Sequence, residues 1–209
     1  MSDKPLTITS ILDHAVKWHP DEPVVSRTIE DPEGPFHRYT YSAAAGRAAQ
    51  LANALVKTLG VRRGERVGTL AFSSYRHLEL YYAVPGVAAV CHTINPRLHE
   101  DQVHFILNDA ADAVLFLDTP FLPAFLAAAK VGPLPHLRAV VVMTDPKHMP
   151  TVISGGVRKK QTSATVMAAE GGSDSVREVP LLCYEDLLAG EAVDFGADAN
   201  VWRSLGADM

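Results

Sequence analysis

The feature that most constrains this chain of 209 residues is a series of short apolar runs separated by amphipathic segments. The run Val67–Phe72 carries no charge, which is typical of a strand buried on both faces of a sheet. Later runs follow at intervals that leave room for a helix between strands. This alternation predicts an α/β fold, a doubly wound and mostly parallel sheet with helices on both faces. The other predicted strands are Val90–Ile94, Ala113–Leu117 and Ala139–Met143.

Helix signals fall between these strands. Ser42 is predicted to cap a long helix that Gly60 ends. Ser73 and Ser74 follow the first buried run and are predicted to cap the next helix, which starts at Tyr75. Apolar residues at helical spacing predict three further helices, at Leu12–Lys17, Glu100–Asn108 and Phe121–Lys130.

The composition of the chain changes at residue 151. Residues 151–178 hold 11 glycine, serine or threonine residues among 28, and no leucine or aromatic residue. Such a segment has little to bury, so it is predicted to fill no core and to be a flexible insertion. The predicted organisation is an N-terminal α/β subdomain over 1–150, the insertion over 151–178 and a return segment over 179–209.

Composition and charge exclude several classes of protein. With 19 basic and 24 acidic residues the net charge is −5, which excludes a generally cationic nucleic-acid binder. The 47% hydrophobic content excludes disorder of the whole chain. The first ten residues lack a secretory signal, and no uncharged run is long and apolar enough to span a bilayer. Because two cysteines distant in sequence are typical of a reducing compartment, we expect a soluble protein of the cytoplasm or another reducing intracellular compartment.

Two motifs match known ligand sites only in part. His99 and His104 lie five residues apart, about 140° around a helix, whereas a zinc-protease helix needs histidines four residues apart. We therefore predict no metal site, and a weak pair of Glu100 with His104 instead. The stretch Ser154–Lys160 joins glycines to cations, but its spacing differs from that of a phosphate-binding GxxxxGK[ST] loop. It is interpreted as a solvated basic patch on a flexible loop.

Two further positions are candidates for ligand contact or catalysis. Ser73 and Ser74 end a buried strand, where open parallel sheets bind ligands, although helix capping is the simpler interpretation. Cys91 and His92 are adjacent on a strand and point to opposite faces, which favours a buried structural cysteine over a nucleophile. No GxGxxG, CxxC or HExxH motif occurs, so the residues predict no complete catalytic constellation.

The sequence RHLELYYAVPGVAAVCHTINPRL, residues 76–98, closely resembles the N-terminal region of adenylate-forming acyl-CoA synthetases, in the fatty-acid–CoA ligase branch of the AMP-binding superfamily. Residues 6–27 and 38–74 are similar to the family's opening helix and first conserved block. Residues 181–191 resemble the segment that leads to its phosphate-binding loop. The resemblance covers nearly the whole chain apart from 151–178, and it implies the fold of the N-terminal subdomain of these synthetases.

The resemblance implies a ligase reaction in two steps. Such enzymes form an acyl-adenylate from ATP and a carboxylic acid with loss of pyrophosphate, and the thiol of CoA then displaces AMP. The family's Ser/Thr/Gly-rich loop ending in Pro-Lys-Gly, its aromatic-Thr-Glu segment, its ribose-binding Asp and its late Lys are absent from this sequence. We therefore expect a truncated N-terminal portion that is inactive alone and binds no cofactor itself. ATP, Mg²⁺ and CoA are expected for the full-length enzyme.

The resemblance also suggests a binding surface. Ser73, Ser74 and His77 are expected to form part of one wall of the acyl pocket, whose substrate is a fatty acid or another carboxylic acid. A subdomain separated from its packing partner exposes apolar surface, so self-association is expected. The alternative that stays open is a free-standing flavodoxin-like α/β module that binds a small ligand or a partner.

Overall fold

The computed structural model describes residues 7–154, 157–167 and 176–193. The helices are α1 (Ile8–Trp18), α2 (Tyr41–Lys57), α3 (Tyr75–Gly86), α4 (Glu100–Asp109), α5 (Leu122–Ala128) and α6 (Tyr184–Leu188). The strands are β1 (Pro23–Ser26), β2 (His37–Thr40), β3 (Arg66–Leu70), β4 (Val90–Thr93), β5 (Asp112–Leu117), β6 (Ala139–Val142), β7 (Thr151–Ser154), β8 (Val157–Lys160), β9 (Ser163–Met167) and β10 (Val176–Cys183).

These elements form two compact units, each assembled from separate stretches of the chain. The helical unit takes its described residues from Met1–Glu65, Ser73–Cys91 and Leu187–Met209. The sheet unit takes its described residues from Arg66–Phe72 and His92–Asp186. The predicted division at residues 150 and 178 stays a prediction.

A six-stranded sheet has the strand order β4-β3-β5-β6-β10-β9. Strands β3, β5, β6 and β10 pair in parallel, and β9 joins β10 antiparallel. In the register, Val114 of β5 lies between Val67 of β3 and Ala139 of β6. The predicted α/β fold with a mostly parallel sheet is confirmed.

The apolar runs of the sequence form the core of the sheet unit. Every residue of Asp112–Leu117 and of Ala139–Val142 is buried, as expected for strands covered on both faces. Helices α4 and α5 contribute one apolar face each, since their buried side chains recur at helical spacing. Together these buried side chains form a core cluster, which includes Leu70, Val103, Leu107, Leu115, Leu117, Phe125, Val140 and Val142.

Residues 151–178 contribute more to the fold than their composition indicates. β7 and β8 form an antiparallel hairpin that contains Ser154–Lys160, although residues 155 and 156 lie outside the described residues. Ala164 and Val166 of β9 are 1% exposed and belong to the core cluster. The prediction that this segment fills no core is therefore wrong for β9, because alternate small residues suffice to bury one face of a strand. Its mobility stays a prediction.

The helical unit is built on α2 and α3, against which α1 packs. Thr40, not the predicted Ser42, caps α2, because its side chain accepts a hydrogen bond from the N–H of Ala43 at 3.2 Å. One apolar stripe of α2 is buried, which is typical of a helix that packs on a core. Its members are Ala44, Ala48, Leu51, Ala52 and Leu55.

Helix α1 keeps large apolar side chains in solvent. Ile8, Ile11 and Trp18 are each about half exposed or more. This surface agrees in kind with the expected self-association, which itself stays a prediction. Within the described part of the chain, no helix has the length and apolar character needed to cross a membrane.

Candidate functional site

The helical unit contains an apolar groove beside the first turns of α3. Its volume is about 210 Å³. Ser73, Ser74 and His77, the residues predicted to form a pocket wall, all line this groove. Their role in binding an acyl group stays a prediction. The other lining residues are Val24, Val25, Ser26, Tyr75, Leu78 and Tyr81.

Two serine hydroxyls at the groove cap the start of α3. Ser74 Oγ accepts a hydrogen bond from the N–H of His77 at 3.4 Å. Ser26 Oγ accepts one from the N–H of Tyr75 at 3.1 Å, which ties β1 to the helix start. Both serines satisfy amide groups that the first helical turn cannot satisfy itself. The capping interpretation of Ser74 is confirmed, while Ser73 is exposed.

Aromatic rings form one side of the groove. The ring of His77 stacks on that of Tyr81, with centroids 4.8 Å apart and planes inclined by 27°. His77 is 7% exposed and Tyr81 is 44% exposed, so His77 lies in the floor of the groove and Tyr81 lies at its rim. Val24, Val25 and Leu78 also line the groove, and this lining suits an apolar ligand rather than an ion.

Two buried ion pairs fix α3 within the helical unit. Arg47 of α2 donates through Nε to Oε1 of Glu79 at 2.8 Å, and the Glu79 side chain is fully buried. Arg76 donates to Oε1 of Glu30 at 2.6 Å, with both side chains buried. Burial, with the Glu79 carboxylate as the next cause, raises the pKa of Tyr39 well above its ordinary value, so its hydroxyl stays neutral. The two ion pairs therefore hold α3, and with it His77, in place relative to Glu30 and Arg47 of the same unit.

His104 of α4 does not form the pair with Glu100 that the sequence predicts. His99 Nδ1 lies 3.3 Å from Asp101 Oδ2, and His99 Nε2 lies 3.7 Å from Glu100 Oε2, all three side chains being exposed. The ring of His104 packs against Gly132, and the predicted pair of Glu100 with His104 is wrong. Across the described residues, no group of three or more His, Cys, Asp or Glu side chains could hold a metal ion.

His92 pairs with Asp112, a residue that the sequence analysis does not single out as a candidate. His92 Nδ1 lies 2.8 Å from Asp112 Oδ2, and the Asp112 side chain is fully buried. A Cβ atom on Gly68 would lie 3.1 Å from Asp112 Cγ, so the glycine leaves room for this carboxylate. Cys91 is only half-buried, so the prediction of a buried cysteine is wrong. The sequence signal that could have indicated the His92–Asp112 pair is the acidic residue at the start of the otherwise apolar strand Asp112–Leu117.

The buried carboxyl group makes stability depend on pH. Burial raises the pKa of Asp112 above its ordinary 3.8, although His92 and Arg66 oppose this. Between pH 3.8 and the folded pKa, the folded chain holds a proton on Asp112 that the unfolded chain has lost. The stability that the protonated carboxyl group contributes is therefore fully present below pH 3.8 and disappears as the pH rises through the folded pKa. Above pH 3.8, the free energy of unfolding of wild type should therefore fall relative to that of Asp112→Asn as the pH rises toward the folded pKa.

Urea unfolding of wild type and Asp112→Asn at successive pH values from about 4 to 7 measures this difference. A difference between wild type and Asp112→Asn that stays constant with pH would contradict the expected protonation of the buried group.

Comparisons with known proteins agree with this fold. The family described as AMP-binding enzyme matches residues 12–182. A 3-methylmercaptopropionyl-CoA ligase of Ruegeria lacuscaerulensis is 42% identical over 143 residues, which are 68% of this chain and 25% of that protein. A medium-chain-fatty-acid–CoA ligase of Ectopseudomonas oleovorans is 34% identical over 201 residues, 96% of this chain and 30% of that protein. The crystal structure of an anthranilate CoA ligase in complex with anthranoyl-AMP shares the fold, with a TM-score of 0.61 and 21% identity over 92% of this chain and 29% of that chain.

The chain belongs to the AMP-binding enzyme family. Within that family it is related to acyl-CoA ligases, which confirms the resemblance first drawn from residues 76–98. The chain spans about a quarter to three tenths of the length of the curated relatives it matches, and it covers their N-terminal part. These matches favour the ligase interpretation over the flavodoxin-like module.

Proposed function

We propose that this chain is the N-terminal part of an ATP-dependent fatty-acid–CoA ligase, in which the apolar groove forms part of the acyl pocket. The observation that carries the proposal is the position of Ser73, Ser74 and His77 along one groove of apolar character. The names of the relatives add the substrate class, since one of them is a medium-chain-fatty-acid–CoA ligase. The substrate is a fatty acid or a similar carboxylic acid.

The size of the groove suits part of a ligand rather than a whole one. Complete small-molecule sites commonly enclose about 300–1,000 Å³, whereas this groove encloses about 210 Å³. Each methylene group that it removes from water contributes about 0.8 kcal/mol, so a few carbons of an acyl chain give weak binding. The remaining walls and the reacting groups belong to the rest of the ligase.

The complete reaction of such a ligase also needs ATP, Mg²⁺ and CoA. The described residues hold no cluster of carboxylates or histidines for Mg²⁺, and the sequence has no Ser/Thr/Gly-rich loop ending in Pro-Lys-Gly for the phosphates of ATP. In this proposal ATP, Mg²⁺ and CoA are bound by other parts of the ligase. Cys91 and Cys183 are not joined in a disulfide, which supports a reducing intracellular compartment as the location of the ligase.

Introducing a charge into the groove tests the proposal. Val25 and Val90 are strand valines, 45% and 49% exposed, but only Val25 lines the groove. Val25→Asp should weaken the binding of a fluorescent fatty acid to the chain by tenfold or more, which corresponds to about 1.4 kcal/mol. The reason is that a carboxylate at this position would lose hydration beside the alkyl chain. Displacement by laurate or palmitate measures the affinity.

The matched variant Val90→Asp should stay within about twofold of wild type, since it changes the same residue type outside the groove. Thermal unfolding of both variants checks that they fold. Equal losses in the two variants, or no fatty-acid binding by the wild-type chain, would contradict the groove as an acyl-binding surface.

A further inference from the structure

A basic cleft lies in the sheet unit, and none of its lining residues lines the apolar groove. Three lysines line it, Lys130 after α5 and Lys159 and Lys160 at the end of β8. The sequence interpretation of Ser154–Lys160 as a solvated patch did not include Lys130, which is 29 residues from Lys159 in the chain. The cleft has a volume of about 560 Å³. The other residues used below are Leu126, Val152, Thr162, Ser163, Thr165 and Glu178.

The lysines of the basic cleft have no ionic partner among the described residues. Glu178 is the acidic residue in the lining, and its oxygens face hydroxyl donors instead. Thr165 Oγ1 donates to Glu178 Oε1 at 2.6 Å, and hydrogen bonds from Ser163 and Thr165 hold the pKa of Glu178 below its ordinary value. Three ammonium groups against one carboxylate leave two positive charges uncompensated in the cleft.

The chemistry of this lining selects a class of ligand. A phosphate group carries up to two negative charges, which match the excess of the cleft, and its oxygens accept hydrogen bonds from ammonium and hydroxyl groups. Thr162 adds a hydroxyl, and Leu126 and Val152 add apolar surface beside the charges. The volume falls within the range of about 300–1,000 Å³ that small organic ligands occupy.

We propose that the basic cleft of Lys130, Lys159 and Lys160 binds a phosphate group. The phosphate belongs either to a small soluble anion or to the headgroup of an anionic lipid, and both sources present the same chemistry to the lysines. The proposal does not rest on the ligase function, because no residue of the cleft lines the apolar groove.

Binding of two probes to the full chain tests this site and separates the sources. Pyrophosphate is titrated calorimetrically, and vesicles of phosphatidylcholine with or without phosphatidylglycerol are cosedimented with the chain. One of the two probes is expected to bind the wild-type chain. The double variant Lys159→Gln, Lys160→Gln should weaken the binding of that probe by tenfold or more, which corresponds to about 1.4 kcal/mol. Lys57→Gln combined with Lys147→Gln removes the same charge elsewhere and should change binding less than twofold.

A second variant gives an effect of opposite sign. Glu178→Gln removes the negative charge from the cleft and should tighten binding, which a purely structural role of these residues would not produce. Binding of pyrophosphate assigns a soluble phosphate, and binding only to phosphatidylglycerol vesicles assigns a lipid headgroup. Binding of neither probe, equal loss in both lysine double variants, or acetate bound as tightly as pyrophosphate would overturn the proposal.

Discussion

Replacing Arg47 by methionine is expected to lower the free energy of unfolding by about 3–5 kcal/mol. The side chain of Glu79 is fully buried, and Arg47 Nε lies 2.8 Å from its carboxylate. Removing the guanidinium takes this positive charge away from the buried carboxylate, and the Tyr39 hydroxyl that bonds to Glu79 is neutral and cannot replace it. Domains have about 5–15 kcal/mol of total stability, so a large part of it depends on this one pair.

Thermal and urea unfolding measure the loss, which corresponds to a fall in Tm on the order of 10 °C. Lys57 provides a control on the same helix, because it pairs with Glu191 at 3.6 Å while 61% exposed. Lys57→Met should cost less than about 1 kcal/mol. The double variant Arg47→Met, Glu79→Leu should recover most of the lost stability, since it removes both buried charges. A loss below about 1 kcal/mol in Arg47→Met would contradict the account.

The helices and central strands could be predicted because their signals are local. The uncharged run Val67–Phe72 predicts a buried strand, and residues 67–70 are buried. Ser74 after this run caps the helix that follows, as predicted. The β9 strand was missed because the core-forming residues Ala164 and Val166 are small and alternate with polar residues. A count of glycine, serine and threonine over 28 residues conceals such alternation.

The candidate site could be predicted only where it is contiguous in sequence. Ser73, Ser74 and His77 follow one strand and begin one helix, so sequence order places them together. Val24 and Val25 complete the groove from a hairpin about 50 residues earlier, and no local pattern indicates that contact. The pairs Arg47 with Glu79 and His92 with Asp112 likewise join residues that are distant in sequence.

The chain alone is expected to show no adenylation activity. Enzymes of this kind stabilise developing charge with positioned amide groups and cations, and loss of one such donor commonly costs about 10²–10³ in rate. This sequence lacks the whole phosphate-binding loop of its family. ATP–pyrophosphate exchange with laurate or palmitate should therefore stay at the blank level. Exchange that is lost on changing Lys159 and Lys160 to glutamine would instead show that the basic cleft binds ATP.

A chimera is expected to restore the reaction. Replacing the matched N-terminal part of the Ectopseudomonas oleovorans ligase by this chain supplies the missing catalytic motifs, and the 34% identity over 201 residues favours correct packing. Fatty-acid-dependent exchange should then rise well above the blank. Val25→Asp in the chimera should raise the KM for the fatty acid more than it lowers kcat, because the proposal assigns to the groove a role in binding the substrate and not in the reaction itself. Val90→Asp in the same background should leave KM unchanged. A folded chimera without exchange, or equal effects of the two aspartates on KM, would contradict the proposal that this chain supplies an acyl-binding wall to a ligase.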